Sequence, residues 1–411
     1  MTITAYVGAQ GAGKTTQLIL KLRNAEKSGI QTHLFLCSDS DDLRARKHVK
    51  EGGLMGCRTT GLNYPITHFV SKDEAIKRLS TLQVGTMAVF DEAAWFGVDL
   101  VEQWILANNR GVEVVISSVS GEQEKLLENA GANMVKMDHP KCMLCSSEAE
   151  LTRIKCKTPD GSNWLISCKE CKSSIENNNR KGNAKNYKSI KDTLYRIDPF
   201  KKTKHAYQPL YNFPLKGWGY VREDCYQRAD IMTNTLVEHL GMENIIPYFS
   251  GKKYLDLGCC TGFFCEQMSE LGFKSSGIDI NKEFISLAEN YSELRSSNVN
   301  YLAHEIYKYV SENPVAEYDV TSSFATIQWI IQQNGLEAGL ACFDWLFNVT
   351  KKMCVIEMGY TSEDIYKELP VNINKEWVIN VMKERGNFDK VKYFPAKENG
   401  IWRDLFIGLY D

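Results

Sequence analysis

Two α/β domains in series, each built on a parallel sheet, are the fold that this chain of 411 residues predicts. Three observations predict it. Apolar runs of strand length alternate with helical patterns. A G-x-x-x-x-G-K-[ST] turn, Gly8-Ala9-Gln10-Gly11-Ala12-Gly13-Lys14-Thr15, follows the first of those runs, and a second glycine turn, Gly258-Cys259-Cys260-Thr261-Gly262, follows another run past the middle of the chain. The length agrees, because a single hydrophobic core stops growing well short of it.

In the first half, Ile3 to Val7, Thr32 to Cys37, Met87 to Phe90 and Val112 to Ser117 read as strands, and Thr16 to Lys27, closed by Gly29, reads as a helix. Around Pro140 this rhythm stops, and a cysteine-rich, turn-rich segment runs to about Ser174. From Asn177 to His205 the chain is basic: Arg180, Lys181, Lys185, Lys188, Lys191, Arg196, Lys201, Lys202 and Lys204 face only Asp192 and Asp198. That composition suits a solvated linker, or a docking strip for a polyanionic or phosphorylated substrate. Strands resume at Lys253 to Leu257, Lys274 to Ile278, Tyr318 to Phe324, Met353 to Met358 and Leu405 to Leu409. Helical stretches fall at Gly262 to Leu271 and Lys282 to Ser292, and Gln227 to His239 reads as a helix leading in. The domains are therefore placed at 1–176 and 216–411, with a basic linker at 177–215.

With 43% hydrophobic and 24% charged residues the composition is that of a globular protein, and a net charge of −2 gives no global reason to expect nucleic acid or membrane. No apolar run approaches the roughly 20 residues of a membrane span. Met1 to Val7 is too short, and lacks the basic flank, to read as a signal peptide, so a cytoplasmic enzyme is expected. Thirteen cysteines is an odd number, and two Cys-x-x-Cys pairs argue for metal before disulfide.

The first turn reads as a phosphate site. Gly8, Gly11 and Gly13 let backbone N–H groups cradle phosphates, Lys14 reaches the outer ones, Thr15 holds magnesium, and the helix opening at Thr16 aims its positive end at the same anion. Asp91 ends a later strand, placed to hold the magnesium of ATP, while Glu92 beside it can accept a proton from an attacking hydroxyl or water. That pair serves a kinase and an ATPase equally. The thiolates of Cys142, Cys145, Cys168 and Cys171 suit tetrahedral zinc, which would pin a loop too small for its own core; a redox dithiol is the competing reading.

Asp91-Glu92-Ala93-Ala94-Trp95-Phe96 resembles the Asp-Glu-x-Gln-Phe-Phe stretch of zinc-containing thymidine kinases, and Cys142 to Arg153 followed by Trp164 to Cys171 resembles that family's substrate-covering lasso. The resemblance covers roughly residues 1 to 175. It implies Glu92 as general base, Asp91 as magnesium partner and Arg44, in Asp42-Leu43-Arg44, as a phosphate-positioning group. It also implies Trp95, with Phe96, at the acceptor base, Trp164 in the lasso, and a homo-oligomer. Gln10, Ala94 and Trp164 depart from the family's Met, Gln and Tyr, so the acceptor is read as a hydroxyl compound other than thymidine.

In the second half, Gly258 and Gly262, with Cys260 in the middle slot, allow close backbone approach to a cofactor, Asp256 ends the preceding strand, and Asp279 ends the next where it can accept from both ribose hydroxyls. A dinucleotide fits less well, because the turn departs from G-x-G-x-x-G. The stretch resembles motifs I and II of class I S-adenosylmethionine-dependent methyltransferases, which implies a Rossmann-like domain. Glu305, after His304, then stands where a polar side chain meets the adenine, and Asp319 and Ser323 stand as candidates beside the methyl group. Arg222 and Arg228, between Trp218 and Arg228, form a candidate acceptor clamp, since planar guanidinium suits a phosphate oxyanion. Leu255 to Phe264 with Tyr318 to Trp329 resembles the bifunctional kinase–methyltransferases that end bacterial polysaccharides with methyl phosphate. Their domain order and kinase fold differ, so that resemblance is confined to the methyltransferase half.

The expectation is therefore a bifunctional enzyme that phosphorylates a hydroxyl of a small molecule or glycan end with ATP and then methylates that phosphate. Independent kinase and methyltransferase activities, an ATP-sensing module regulating a methyltransferase, and a nucleic-acid end-modifying enzyme using the basic strip are the alternatives.

Overall fold

A computed structural model describes residues 3–9, 12–39, 53–57, 60, 62–140, 142, 147–153, 164–169, 172, 184–197, 205–213, 219–241, 249–295, 297 and 299–411. They form two compact units. One takes Met1–Cys142, Glu148–Leu151 and Thr233–Asn244; the other takes Met143–Ser147, Thr152–Met232 and Ile245–Asp411.

The first unit contains β1 (Thr4–Val7), β2 (Thr32–Cys37), the hairpin strands β3 (Leu54–Gly56) and β4 (Asn63–Pro65), then β5 (His68–Val70), β6 (Met87–Phe90), β7 (Glu113–Ser117) and β8 (Asn133–Lys136). Its main sheet has the order β5-β2-β6-β7-β1-β8, and every pairing in it is parallel. All four residues of β1 and of β6 are buried, as strands covered on both faces require, and this is why β6 reads as an unbroken apolar run. Phe90 stacks on Phe35 with centroids 4.6 Å apart and meets Trp104 edge-on at 5.3 Å. β5 and β8 lie at the two edges. They are short and half exposed, so they leave little apolar signal.

Two small pairs lie further along the chain: β9 (Glu150–Arg153) with β10 (Trp164–Ser167), which fall between the two Cys-x-x-Cys pairs in sequence, and β11 (His205–Ala206) with β12 (Gly219–Tyr220). The second unit's large sheet is built from β13 (Lys253–Leu257), β14 (Lys274–Asp279), β15 (Val299–Ala303), β16 (Tyr318–Phe324), β17 (Thr350–Glu357), β18 (Lys390–Phe394) and β19 (Leu405–Leu409). Its order is β15-β14-β13-β16-β17-β19-β18, parallel from β15 through β17, with β19 antiparallel to both of its neighbours.

The basic segment expected to be a linker carries a helix, Ala184–Ile197, and belongs to the second unit. Ile190 and Leu194, one turn apart, are buried, while Arg196 pairs with Glu283 at 2.9 Å. An i, i+4 apolar pair among lysines is enough to seat a helix, but it is too sparse to stand out in the sequence. Among the described residues no helix is long and apolar enough to cross a membrane.

Candidate functional site

Each unit gathers its candidate residues at the carboxyl ends of parallel strands, where strand-to-helix turns expose backbone amides. In the first unit the helix Lys14–Lys27 starts from Gly13, whose φ of 84° lies in the left-handed region. Gly8, at φ 144°, has no room for a side chain, since a Cβ would come within 3.0 Å of the Met137 carbonyl oxygen. Lys14 Nζ donates to the carbonyls of Gly8 at 2.7 Å and Ala9 at 2.8 Å, so its ammonium folds back over the loop that would surround a phosphate. Burial holds its pKa below the usual lysine value, and the Asp91 and Glu92 carboxylates oppose that shift.

Asp91 is the centre of the polar cluster. Its Oδ2 accepts from Thr15 Oγ1 at 2.9 Å, and its Oδ1 accepts from the Glu92 N–H at 3.0 Å and from Ser117 Oγ. Thr15 and Asp91, far apart in sequence, are thus brought together where they would share a magnesium ion. Glu92 follows in a left-handed conformation, φ 50°, a cost that only a surrounding structure fixing the turn sustains. Part of that structure is Gln123, fully buried, whose amide donates to Ala93 O at 3.1 Å and Gly97 O at 2.9 Å. Sequence reasoning passed over Gln123, although Ser120 and Gln123 form a capping box and spell its pattern.

Two expectations for this unit change. Phe96 is not an acceptor contact: it is fully buried and packs edge-on against Phe90 at 5.5 Å, because the turn that exposes Trp95 rotates Phe96 into the core. Trp95, 45% exposed, remains open to a ligand. Thr16 does not offer its hydroxyl to phosphate, since its Oγ1 lies 2.9 Å from Cys57 Sγ and 3.4 Å from Thr60 Oγ1, in the β3–β4 connection. Gly11, Arg44, Cys145, Cys171 and the Trp164 side chain lie outside the described residues; Cys142 is buried and Cys168 half-buried.

In the second unit the turn after β13 holds Gly258 at φ 82°, Cys260 at φ 51° and Gly262 at φ 81°. A Cβ at Gly262 would meet Tyr301 Oη at 2.2 Å, so glycine is required there both by conformation and by space. Asp279 Oδ2 accepts from the Cys260 N–H at 2.9 Å and Oδ1 from the Asn281 N–H at 2.8 Å, which fixes the carboxylate beside the turn with lone pairs to spare. Burial raises its pKa against those two amides. Glu305 follows β15 and pairs with Lys308 at 2.9 Å. Ser323 Oγ is buried with no hydrogen-bond partner among the described residues. Asp256 is buried too, accepts from Ser322 Oγ at 2.7 Å, and has its pKa pushed up to about 7 by burial. A desolvated carboxylate at the end of the strand that leads into the glycine turn fits a ligand bearing an ammonium group.

Arg222 and Arg228 do not form an open anion clamp. Arg222 forks onto Glu357 at 3.0 and 2.9 Å and onto Asp224 at 3.1 Å twice, and Arg228 NH1 donates to Glu357 Oε2 at 3.2 Å. Two guanidiniums against two carboxylates are neutral, and all four side chains are buried. Asp319 also leaves the candidate set: it lies near the start of β16, at the opposite edge of the sheet, and accepts from the Lys253 N–H at 2.8 Å. Two residues from the supposed linker enter instead. Gln208 Nε2 donates to Cys259 O and Thr261 Oγ1, each at 3.3 Å, and burial pushes the Tyr207 phenol pKa up, with the Arg222 guanidinium opposing that shift.

An open sheet of this order, with a glycine turn after its first strand and a carboxylate ending the second, defines a Rossmann-like nucleotide-cofactor domain. Residues 249–396 match the family model of a methyltransferase domain. This part of the chain is accordingly similar to methyltransferase domains. It is 27% identical over 103 residues to the ubiquinone biosynthesis O-methyltransferase of Maricaulis maris, covering 25% of this chain and 40% of that protein. It is 25% identical over 168 residues to the O-antigen chain terminator bifunctional methyltransferase/kinase WbdD of Escherichia coli, covering 39% of this chain and 22% of that one. A solved structure of the bifunctional kinase-methyltransferase WbdD overlays with a TM-score of 0.41 at 19% identity, covering 53% of this chain and 46% of that one.

Asp256 yields a test with a definite sign. Its folded pKa of about 7 exceeds the unfolded value of about 4, so protonation favours the native state; that contribution is complete in acid and is lost as pH rises toward 7. Asp256→Asn is expected to raise Tm by several degrees at about pH 8 and by much less at about pH 5, while weakening S-adenosylmethionine binding roughly tenfold. Thermal melts across pH and calorimetric titration check both. A Tm difference independent of pH would contradict the assignment.

Proposed function

We propose that the chain is a bifunctional transferase: its first unit moves the terminal phosphoryl group of ATP to a hydroxyl of a nucleoside, sugar or glycan end, and its second unit methylates the phosphate so formed. The observation that supports the first step is the Thr15–Asp91 hydrogen bond at 2.9 Å, which joins the phosphate loop to the end of β6 with Glu92 alongside. Lys14 and the loop amides would bind the phosphates, Thr15 and Asp91 would hold magnesium, and Glu92 would take the proton of the acceptor hydroxyl. Magnesium, when bound, offsets the negative charge gathered on the transferring group. Zinc on Cys142, Cys145, Cys168 and Cys171 would be structural. ATP use and two Cys-x-x-Cys pairs read as metal ligands fit the cytoplasm.

Likeness to a chain terminator named as methyltransferase and kinase supports linking the two steps on one acceptor. Phosphate oxygen is already anionic, so alignment and desolvation suffice for its attack on the sulfonium methyl. One observation favours a second reading, two independent reactions: Asp224 and Glu357 already neutralise Arg222 and Arg228, which removes the open cationic clamp a phosphate would seek.

The readings part in one experiment. Purified protein is incubated with ATP, S-adenosylmethionine and a panel of nucleosides and oligosaccharides, and products are resolved by mass spectrometry. The proposal expects a phosphorylated product first, then a methyl ester on that same phosphate. A methyl group on nitrogen, on carbon or on a hydroxyl that was never phosphorylated would overturn the linkage.

A further inference from the structure

Glycine loses more backbone freedom on ordering than any other residue, so a turn that rests on Gly262 at φ 81° is preorganised only if other groups hold it. Hydrogen bonds from three directions do so. The Gly262 N–H donates to Cys259 O at 2.9 Å, and its carbonyl accepts from the Glu266 N–H at 3.0 Å and from Tyr301 Oη at 3.4 Å. The first two bonds stay within the turn and the helix it opens. The third comes from β15, where Tyr301 lies across from Gly277, two residues before Ala303 faces Asp279.

Tyr301 is itself fixed. Its Oη also donates to Glu266 Oε1 at 3.2 Å, so one phenol proton is shared between a buried carboxylate and the Gly262 carbonyl. The other Glu266 oxygen accepts from Arg295 Nε at 3.0 Å and from Ser297 Oγ at 2.8 Å, and Arg295 also donates to Glu270 at 2.8 Å. That guanidinium balances the Glu266 charge, which is what lets the carboxylate sit buried behind the turn. Burial, with Glu266 beside it, raises the Tyr301 pKa well above the usual tyrosine value, so the hydroxyl keeps its proton and stays a donor.

We propose that Tyr301, held by Glu266, is the positioning residue of the donor turn: it fixes the Gly262 carbonyl, and through it the left-handed turn, in the shape that receives the methionine part of S-adenosylmethionine. Asp279 fixes the same turn from another side through the Cys260 N–H at 2.9 Å. Tyr301 acts through Gly262 and not on the donor. Its contribution is the ordering cost removed before the ligand arrives, so it bears on donor affinity and leaves the methyl-transfer step alone. This inference rests on the reading of the second unit as a site for S-adenosylmethionine and is independent of which acceptor is methylated.

The test uses the full chain with S-adenosylhomocysteine as the probe, its binding measured by calorimetry at a temperature where every variant is folded by circular dichroism. Tyr301→Phe keeps the ring that packs against Gly262 and removes the hydroxyl. Ser297→Ala is the control, because it takes a different hydroxyl from the same Glu266 carboxylate and leaves the bonds to Gly262 in place. Both variants are expected to lower Tm by a few degrees. Only Tyr301→Phe is expected to raise Kd, about tenfold, and to speed hydrogen exchange at the amides from Cys260 to Glu266 by a similar factor. Ser297→Ala should stay within about twofold of wild type in both measurements. Equal Kd in wild type and Tyr301→Phe would overturn the positioning role. Equal weakening by both variants, or a Tyr301→Phe chain that cannot fold where Ser297→Ala can, would overturn it too, by assigning the hydroxyl to support of the core. Wild type that binds no S-adenosylhomocysteine would instead overturn the donor reading, and the role with it.

Discussion

Lys14→Ala is expected to lower ATP-dependent phosphoryl transfer about 10²–10³-fold while leaving donor binding by the second unit unchanged. The ammonium is held over the loop by the Gly8 and Ala9 carbonyls at 2.7 and 2.8 Å, an arrangement that a phosphate would replace. In the bound state the same group stabilises charge that grows on the outer phosphate during transfer, so the loss falls on kcat as well as on nucleotide affinity. Lys14→Arg should not restore activity, because a planar fork cannot occupy the place of a compact ammonium in so close a loop. Steady-state ADP release with a fixed acceptor checks the magnitude, and melting curves show that the sheet persists. Full activity in Lys14→Ala would contradict a phosphate site at this loop. Methylation of an acceptor supplied already phosphorylated should survive in the variant.

Much of this architecture was legible because it is local. A glycine turn between an apolar strand and a helix writes both cofactor loops into short stretches, and a strand buried on both faces such as β6 reads as a continuous apolar run. Edge strands were not legible: β15 alternates half-buried with exposed positions, and β18 is only partly covered. Partner choice was hidden as well. Arg222 and Arg228 read as an open clamp because Glu357, which neutralises them, is remote in sequence and acquires its position only when β17 pairs with β16. The same distance concealed Ser117 behind Asp91 and Gln208 behind the cofactor turn. A motif announces the residues that meet a ligand; the residues that hold them in place are set by topology.

Replacing Glu357 is expected to produce the largest loss of stability in the second unit. The carboxylate is fully buried and accepts from Arg222 through both oxygens and from Arg228 through one, with Arg403 a further 3.9 Å away. Glu357→Gln removes the charge but keeps one acceptor, which leaves two buried guanidiniums sharing Asp224 alone. Breaking a buried pair in this way costs about 3–5 kcal/mol, and in a unit of this size a Tm fall of roughly 10 °C follows. The loss should be nearly independent of salt, since the charges are shielded from solvent by Phe264 and Phe324, each 5.0 Å from the Arg228 guanidinium. Adding Arg228→Met to Glu357→Gln should recover part of the stability, because the second change removes one of the cations that the first left unpaired. Strict additivity of the two changes in a double-mutant cycle would show instead that the four residues do not act as one network.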